Sequence, residues 1–497
     1  MITIQMSRSD YEYDVQGLCK SFYPSEQIVF EPWKQEHVHN QEELFLVQVE
    51  MEENWLCITI QDGEQEQKVQ EDADFSNRKQ YKNILKKSLY VLLEKQSGKQ
   101  LPWGTLTGVR PSKLVMERLE LGETKEEVWQ YMKKQYFCSR EKMELGYDIA
   151  KRELDILNRI DYKNGYSLYI GIPFCPTRCS YCSFPSYPME QFGTLVEQYL
   201  EALFQEIDFA AGCNWKRKLS SIYIGGGTPT TLTAGQLRRL LQKIKQSFPM
   251  EHVEEFTVEA GRPDSIDVEK LKVLKEEGVT RISINPQTMN QKTLDHIGRK
   301  HTVEEVEHAF WLAREAGHDN INMDLIVGLP GETVDSVRAT LERIERLNPE
   351  SLTVHSLVVK RAARLNLQLE EEEQNLAANT GEMLLVAADY AKKHGLVPYY
   401  MYRQKNATGM DQDSQENVGF SKPGRESIYN ILIMEEKQTI LAFGAGASSK
   451  FLLPQAKKKI ERVENVKSVT DYIERIDEMI ERKQKFLENY KEEFVTV

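Results

Sequence analysis

Cys175, Cys179 and Cys182 stand in CPTRCSYC, three thiols within eight residues. The run SLYIGIPF directly before them has the apolar and β-branched character of a strand, which places all three thiols on one short loop at a strand's carboxyl end. Soft thiolates gathered on a loop suit an iron–sulfur cluster or zinc. A structural zinc site asks for a fourth Cys or His at close spacing, and a closed cluster asks for four cysteines. Neither follows nearby in the sequence. Two readings stay open on spacing alone. Three ligands on a four-iron cluster leave one iron free to chelate a substrate, or a distant histidine such as His301 or His355 completes a zinc loop.

Further unusual residues follow other β-type runs. IYIGGGTPT (222–230) sets Gly225, Gly226 and Gly227 at a strand end, where backbone can approach a ligand closely and free N–H groups can receive a carboxylate. Glu259 lies in FTVEAGRPD, Gln287 follows SINP, Arg299 lies in HIGRKH and Asp324 ends INMD. Each is polar at or just beyond an expected strand, where a buried core prefers apolar side chains. A capping or solvated role is the plain alternative for any one of them. His355, Lys360, Arg403 and Lys405 are cations that could meet substrate carboxylates, or plain surface and helix-start residues.

The elements that must position these residues are legible from periodicity. SLYIGIPF, SIYIGGG, EFTVEAG, RISINPQ, INMDLIVGLP and SLTVHSL read as strands, and TAGQLRRLLQKIKQSF and VEEVEHAFWLAREAG as helices between them. Such β/α alternation predicts a parallel sheet covered by helices, with chemistry at the carboxyl ends of its strands. Ahead of it, LFLVQVEM and WLCITIQD flank Glu52-Glu53-Asn54 as a hairpin, KNILKKSLYVLLEKQ has helical spacing, and LPWGTLTGVRPSKLV reads as a shaped loop entering a helix. Behind it come the acidic run LEEEEQNL, the Gly-rich strand end ILAFGAGASSK and YIERIDEMIERKQKFLENYKEEF, read as one charged amphipathic helix. The expected organisation is an N-terminal α+β extension over 1–160, a β/α barrel over 161–365 and a smaller α+β domain over 366–497.

Composition narrows the function classes. The 497 residues are 40% hydrophobic, ample for a buried core, and 64 Lys+Arg against 77 Asp+Glu give a net charge of −13. That balance speaks against generic capture of nucleic acid or anionic membrane. No apolar run is long enough to span a membrane, and MITIQMSRSDYEYDV lacks the apolar stretch of a secretory signal, so a cytoplasmic protein is expected. Seven cysteines, an odd count, speak against a disulfide scaffold, and Cys19, Cys57, Cys138 and Cys213 read as small apolar residues.

The cysteine spacing, with Tyr169 on the preceding strand and the aromatic Tyr181 just before the third cysteine, resembles the signature of radical S-adenosylmethionine enzymes. LYIGIPFC, GGGTPT, LIVGLPGET and FGAGASS extend the likeness, over roughly 160–450, to the oxygen-independent coproporphyrinogen III dehydrogenases, and WGTLTGVRPSK and VHSLVVKR resemble their HemZ-type branch. The resemblance implies a partial (β/α)6 barrel. It implies a [4Fe–4S] cluster on Cys175, Cys179 and Cys182, with S-adenosylmethionine chelating the open iron and giving a 5′-deoxyadenosyl radical. The cofactor-binding residues it implies are Tyr169, Tyr181, Gly226, Gly227, Thr228, Glu259, Gln287, Arg299 and Asp324, with the carboxylates on ribose hydroxyls and ammonium and the arginine supporting the cofactor carboxylate. Implied partners are a tetrapyrrole substrate, a low-potential one-electron donor and an electron acceptor. The implied reaction is oxidative decarboxylation of coproporphyrinogen III to protoporphyrinogen IX. Two positions differ: Gly171 stands where the dehydrogenases have histidine, and Phe184 where they have a fourth cysteine. An aromatic there resembles the haem-chaperone relatives, so a haem-binding chaperone, or a radical methyltransferase or haem-degrading enzyme on the same fold, is the competing expectation.

Overall fold

The computed structural model describes residues 1–34, 43–357, 379–404, 416–453 and 459–495. Lys360, Lys405, the run LEEEEQNL and the first two lysines of 457–459 lie outside the described residues. The chain divides into two compact units, 1–151 with 402–416 and 152–401 with 417–497.

In the first unit, strands β1 (Ile2–Met6), β2 (Ile28–Glu31), β3 (Phe45–Met51), β4 (Trp55–Asp62) and β5 (Gln65–Asp72) form one sheet in the order β2-β1-β3-β4-β5. The β3–β4 hairpin pairs Met51 with Leu56 across Glu52-Glu53-Asn54. Alternate residues Phe45, Val47, Val49 and Met51 are buried in one cluster with Leu85, Leu89 and Leu93 of the helix Arg78–Ser97, the period-2 face meeting the helical one. The WGTLTG loop is anchored through buried Trp103, whose Nε1 donates to Glu416 at 2.6 Å, and Lys142 pairs with the same carboxylate at 2.8 Å. The helix Ser112–Glu120 follows it.

The second unit is built on β6 (Gly165–Ile172), β9 (Lys218–Gly226), β10 (Glu255–Gly261), β11 (Arg281–Ile284), β12 (Ile321–Val327) and β13 (Ser351–Ser356). Adjacent members pair in parallel in that order, giving the six strands of the partial barrel. The short strands β7 (Phe174–Cys175) and β8 (Tyr187–Pro188) bracket the cysteine loop. Segments from the last third of the chain lengthen the same sheet: β14 (Val397–Arg403) and β15 (Glu416–Ser421) beyond β13, and β16 (Thr439–Phe443), β17 (Ser448–Leu453) and β18 (Lys459–Glu464) beyond β6. β16 runs parallel to β6, with Ala442 opposite Tyr169.

Residues along the parallel strands alternate between apolar and polar. Leu168 and Ile170 on β6 and Ile222 and Ile224 on β9 are buried. The intervening Ser167 and Ser221 hydroxyls lie 2.8 Å apart, and the Tyr169 and Tyr223 rings stack at 6.2 Å. Glu255 Oε2 accepts from the Ile428 amide at 2.6 Å and its Oε1 from Ser427 Oγ at 3.0 Å. This carboxylate holds the first turn of the helix Ile428–Glu435, where an anion is favoured, and places Tyr429 against Tyr223 at 4.6 Å.

The terminal charged segment differs from the single helix expected. It is broken at Arg475 into Val469–Glu474 and Ile476–Asn489, followed by Lys491–Phe494. A straight helix would set Tyr472 and Lys483 about 16 Å apart along its axis. The break brings both to Glu206, which accepts from Tyr472 Oη at 2.5 Å and pairs with Lys483 Nζ at 2.6 Å.

Candidate active site

The cysteine loop begins where β7 ends. Cys175 and Cys179 are buried and Cys182 half-buried. Two turns support the loop from below. One is 296–301: Ser180 donates its amide to the Ile297 carbonyl at 3.1 Å, and Thr177 Oγ1 reaches the Gly298 carbonyl at 3.4 Å. The other follows β10: Arg262 Nη1 donates to Thr177 Oγ1 at 2.7 Å and lies 3.8 Å from Cys179 Sγ. On the opposite side Thr228 Oγ1 approaches Cys175 Sγ at 3.6 Å. Burial pushes the Cys175 thiol up to about 11, against the Thr228 hydrogen bond, and burial raises the Cys182 thiol too.

These surroundings fit a thiolate-bound cluster. Donors already point at two of the three sulfurs, as a metal-bound thiolate needs. No three Cys, His, Asp or Glu side chains among the described residues gather around one point as a single ion requires. A four-iron cluster demands something else, because each thiolate takes its own iron.

The amides of the GGGT turn are used within the chain, that of Gly226 by the Glu259 carboxylate and the next two by backbone carbonyls. Gly227 donates to the Ile172 carbonyl at 2.8 Å and Thr228 to the Phe174 carbonyl at 2.7 Å, because the turn runs alongside the strand that carries Cys175. Close approach is what requires glycine: a Cβ on Gly227 would lie 2.6 Å from the Phe174 carbonyl oxygen and 3.0 Å from Cys175 Sγ. At Gly225 a Cβ would meet the Glu259 carboxyl at 2.9 Å. The run therefore holds the cysteine strand and clears room for Glu259.

Glu259 in the second half of β10, Gln287 just beyond β11 and Asp324 midway along β12 come together, the Asp324 charge acting on Glu259 and the Gln287 amide bonding the Asp324 carbonyl. Glu259 accepts a hydrogen bond from Tyr223 Oη. Gln287 has φ of 68°, a left-handed conformation uncommon outside glycine. Its amide donates to the Asp324 carbonyl at 2.9 Å and its carbonyl accepts from Ile326 at 2.8 Å, so this backbone is locked onto β12. The Gln287 Oε1 is buried with no hydrogen-bond partner among the described residues. Arg299 lies in the 296–301 turn, where its Nη1 donates to the carbonyls of Asn285 at 2.7 Å and Pro286 at 3.2 Å. His301, on the same turn, is buried with neither ring nitrogen partnered among the described residues, and burial, reinforced by Arg299, lowers it to about 4. His355, the other histidine considered for zinc, lies on β13 with Nδ1 3.3 Å from Asn417 Oδ1. The Gly171 carbonyl accepts from Tyr199 Oη at 2.6 Å, so backbone does the bonding at that position.

Burial pushes the Glu259 carboxyl up to about 7, with the Asp324 charge adding to the rise against the Tyr223 hydrogen bond. The folded chain then holds a proton that the unfolded chain releases near 4.5. Unfolding free energy of the cofactor-free protein should fall as pH rises from about 4.5 to about 7, and Glu259→Gln should remove that part of the slope. Urea denaturation across this window checks it; an identical slope in the variant would assign the proton elsewhere.

Three neighbours escaped the sequence reading. Arg262 follows a strand end in AGRPD, so the rule that selected Glu259 also applied to it. Tyr223 alternates with core positions of β9 and offered a weaker signal. Tyr429 comes from a helix more than 200 residues further on and offered none.

The chain matches the radical SAM superfamily over residues 169–344. It is 44% identical over 416 residues, 82% of each chain, to the oxygen-independent coproporphyrinogen-III oxidase-like protein HemZ of Bacillus subtilis (strain 168). It is 35% identical over 291 residues, 56% of this chain and 70% of the other, to the heme chaperone HemW of the same organism. Among solved structures it resembles coproporphyrinogen III oxidase (HemN) from Escherichia coli, a radical SAM enzyme, with a TM-score of 0.51 and 25% identity over 66% of this chain and 73% of that one.

Proposed function

Because this chain belongs to the radical S-adenosylmethionine superfamily, in its HemZ-like branch, we propose that it converts coproporphyrinogen III to protoporphyrinogen IX by oxidative decarboxylation of two propionate side chains, a step of anaerobic haem biosynthesis. Its cofactors are a [4Fe–4S] cluster and S-adenosylmethionine. When bound they supply one-electron cleavage of a sulfonium to an alkyl radical, and the protein's part is to hold, orient and exclude water.

Cys175, Cys179 and Cys182 are the cluster ligands in this reading, with the Tyr181 side chain beside Cys179. Glu259, Gln287 and Asp324 take the polar groups of the nucleoside and amino-acid ends. Tyr169, close to Gly226, and the Gly226-Gly227-Thr228 turn contribute to the cofactor site in this reading, and Arg299 fixes the chain before Gln287 through the Asn285 and Pro286 carbonyls. The observation that carries the cofactor site is Gln287 Oε1. A buried acceptor without a donor costs about 1–3 kcal/mol, and here its backbone is locked beside Asp324 at the strand ends. Support for a porphyrinogen substrate comes from the likeness to HemZ and to HemN.

One observation favours a second reading. Phe184 is 65% exposed, two residues past the last cluster cysteine, and an exposed aromatic there suits haem binding. Anaerobic incubation of reconstituted protein with S-adenosylmethionine, a low-potential reductant and coproporphyrinogen III separates the two. Vinyl product with 5′-deoxyadenosine is expected. Tight stoichiometric haem binding without turnover would make the protein a haem chaperone instead.

A further inference from the structure

Immediately after β10 the sequence runs Gly261-Arg262-Pro263-Asp264, and Arg262 is only 3% exposed. A guanidinium cannot shed its charge at this depth, so it must be fully partnered. Asp264 takes one edge of the fork, Oδ1 accepting from Nε at 2.9 Å and Oδ2 from Nη2 at 2.6 Å. The remaining nitrogen, Nη1, faces the cysteine loop. It donates to Thr177 Oγ1 at 2.7 Å and the Thr177 carbonyl at 3.2 Å, and it lies 3.8 Å from Cys179 Sγ. The turn behind it is rigid, since Ser265 Oγ donates to the Arg262 carbonyl at 2.7 Å and lies 2.7 Å from Thr230 Oγ1. The second supporting turn meets the same loop through backbone carbonyls alone in the bonds to Ser180 and Thr177.

The geometry thus aims the positive edge of an ion pair at one cluster ligand and keeps the negative partner on the far edge. We infer that Arg262 is a positioning residue that pins the cysteine loop and raises the reduction potential of the cluster, and that Asp264 limits that rise. The inference rests on the cluster assignment above. The electron enters from a low-potential one-electron donor, which loses one electron as the cluster gains one, with no bond made or broken in the protein. The reduced cluster carries one more negative charge, so a buried cation and an N–H directed at sulfur stabilise it more than the oxidised form.

The test is an EPR-monitored redox titration of the anaerobically reconstituted full chain, with dithionite as reductant and iron and sulfide measured on every sample. Arg262→Gln should make reduction about tenfold less favourable, which is ~59 mV lower for a one-electron couple. Arg262→Lys should recover part of the loss. Asp264→Asn should move the potential the other way, upward, an opposition that loosening of the loop would not produce. Should Arg262→Gln lose its cluster, the Lys and Asn variants still decide by their signs. Loaded clusters with unmoved potentials, or shifts of the same sign in the Arg262 and Asp264 variants, would overturn the inference alone. Wild-type protein that takes up no iron and sulfide would overturn the cluster assignment itself.

Discussion

Cys179→Ser is expected to abolish both the visible absorbance of the reconstituted cluster and all formation of 5′-deoxyadenosine. Cys179 is the middle thiol of the proposed ligand set, it is buried, and a hydroxyl is a hard, poorly ionised donor that does not replace a thiolate on iron. The loop itself should survive. Ser180 remains bonded to the Ile297 carbonyl and Thr177 to Arg262, neither through the Cys179 side chain. Circular dichroism and thermal unfolding of the metal-free variant should therefore match wild type, so lost iron and sulfide would report on ligation and not on folding. Retention of cluster and cleavage together would show that the ligand set is wrong.

The second large effect concerns stability and lies away from the cysteines. Glu206, fully buried on the helix Val196–Ala211, accepts from the Gly444 amide at 2.9 Å, Asn465 Nδ2 at 2.8 Å and Tyr472 Oη at 2.5 Å, and pairs with Lys483. Glu206→Ala strands the Lys483 ammonium, itself 3% exposed, leaving Asn465 Oδ1 at 2.8 Å as its acceptor among the described residues. Breaking a buried pair from one side costs about 3–5 kcal/mol, against total stabilities of about 5–15 kcal/mol. Because Gly444 follows β16, which pairs with the strand leading to Cys175, lost cluster occupancy on warming should accompany the lost stability. Urea unfolding of Glu206→Ala, Lys483→Met and the double variant measures the coupling. A loss below about 1 kcal/mol in Glu206→Ala would mean that water reaches the ammonium and the network carries little.

The parallel strands and their helices were readable because their signal is local. Each is an apolar or alternating run next to a helical period, and burial of both faces makes that pattern insistent. The cysteine loop was readable for a related reason, since three thiols within eight residues need no long-range partner to bring them together. Glu259, Gln287 and Asp324 stood out as polar residues at or just beyond expected strands, and folding then bridged the Gln287 backbone to β12 beside Asp324.

Other features could be decided only by tertiary structure, because each depends on which distant groups end up in contact. The amides of the GGGT turn could be judged free until the chain leading to Cys175 lay along it, the Ile172 carbonyl taking the Gly227 amide and the Phe174 carbonyl that of Thr228. The break at Arg475 follows from one buried carboxylate claiming both Tyr472 and Lys483, a demand stronger than the helical preference of the segment between them. Arg262 became informative only through its distance to Cys179, a residue 83 positions away. By itself, then, the sequence determined the clustering of three thiols on one loop, the barrel strands and the polar residues along or just beyond them, because spacing and periodicity are properties of neighbours along the chain. The charge placed against the sulfur and the backbone groups left available emerged only on folding, since burial forces every polar group to find a partner regardless of where in the chain that partner lies.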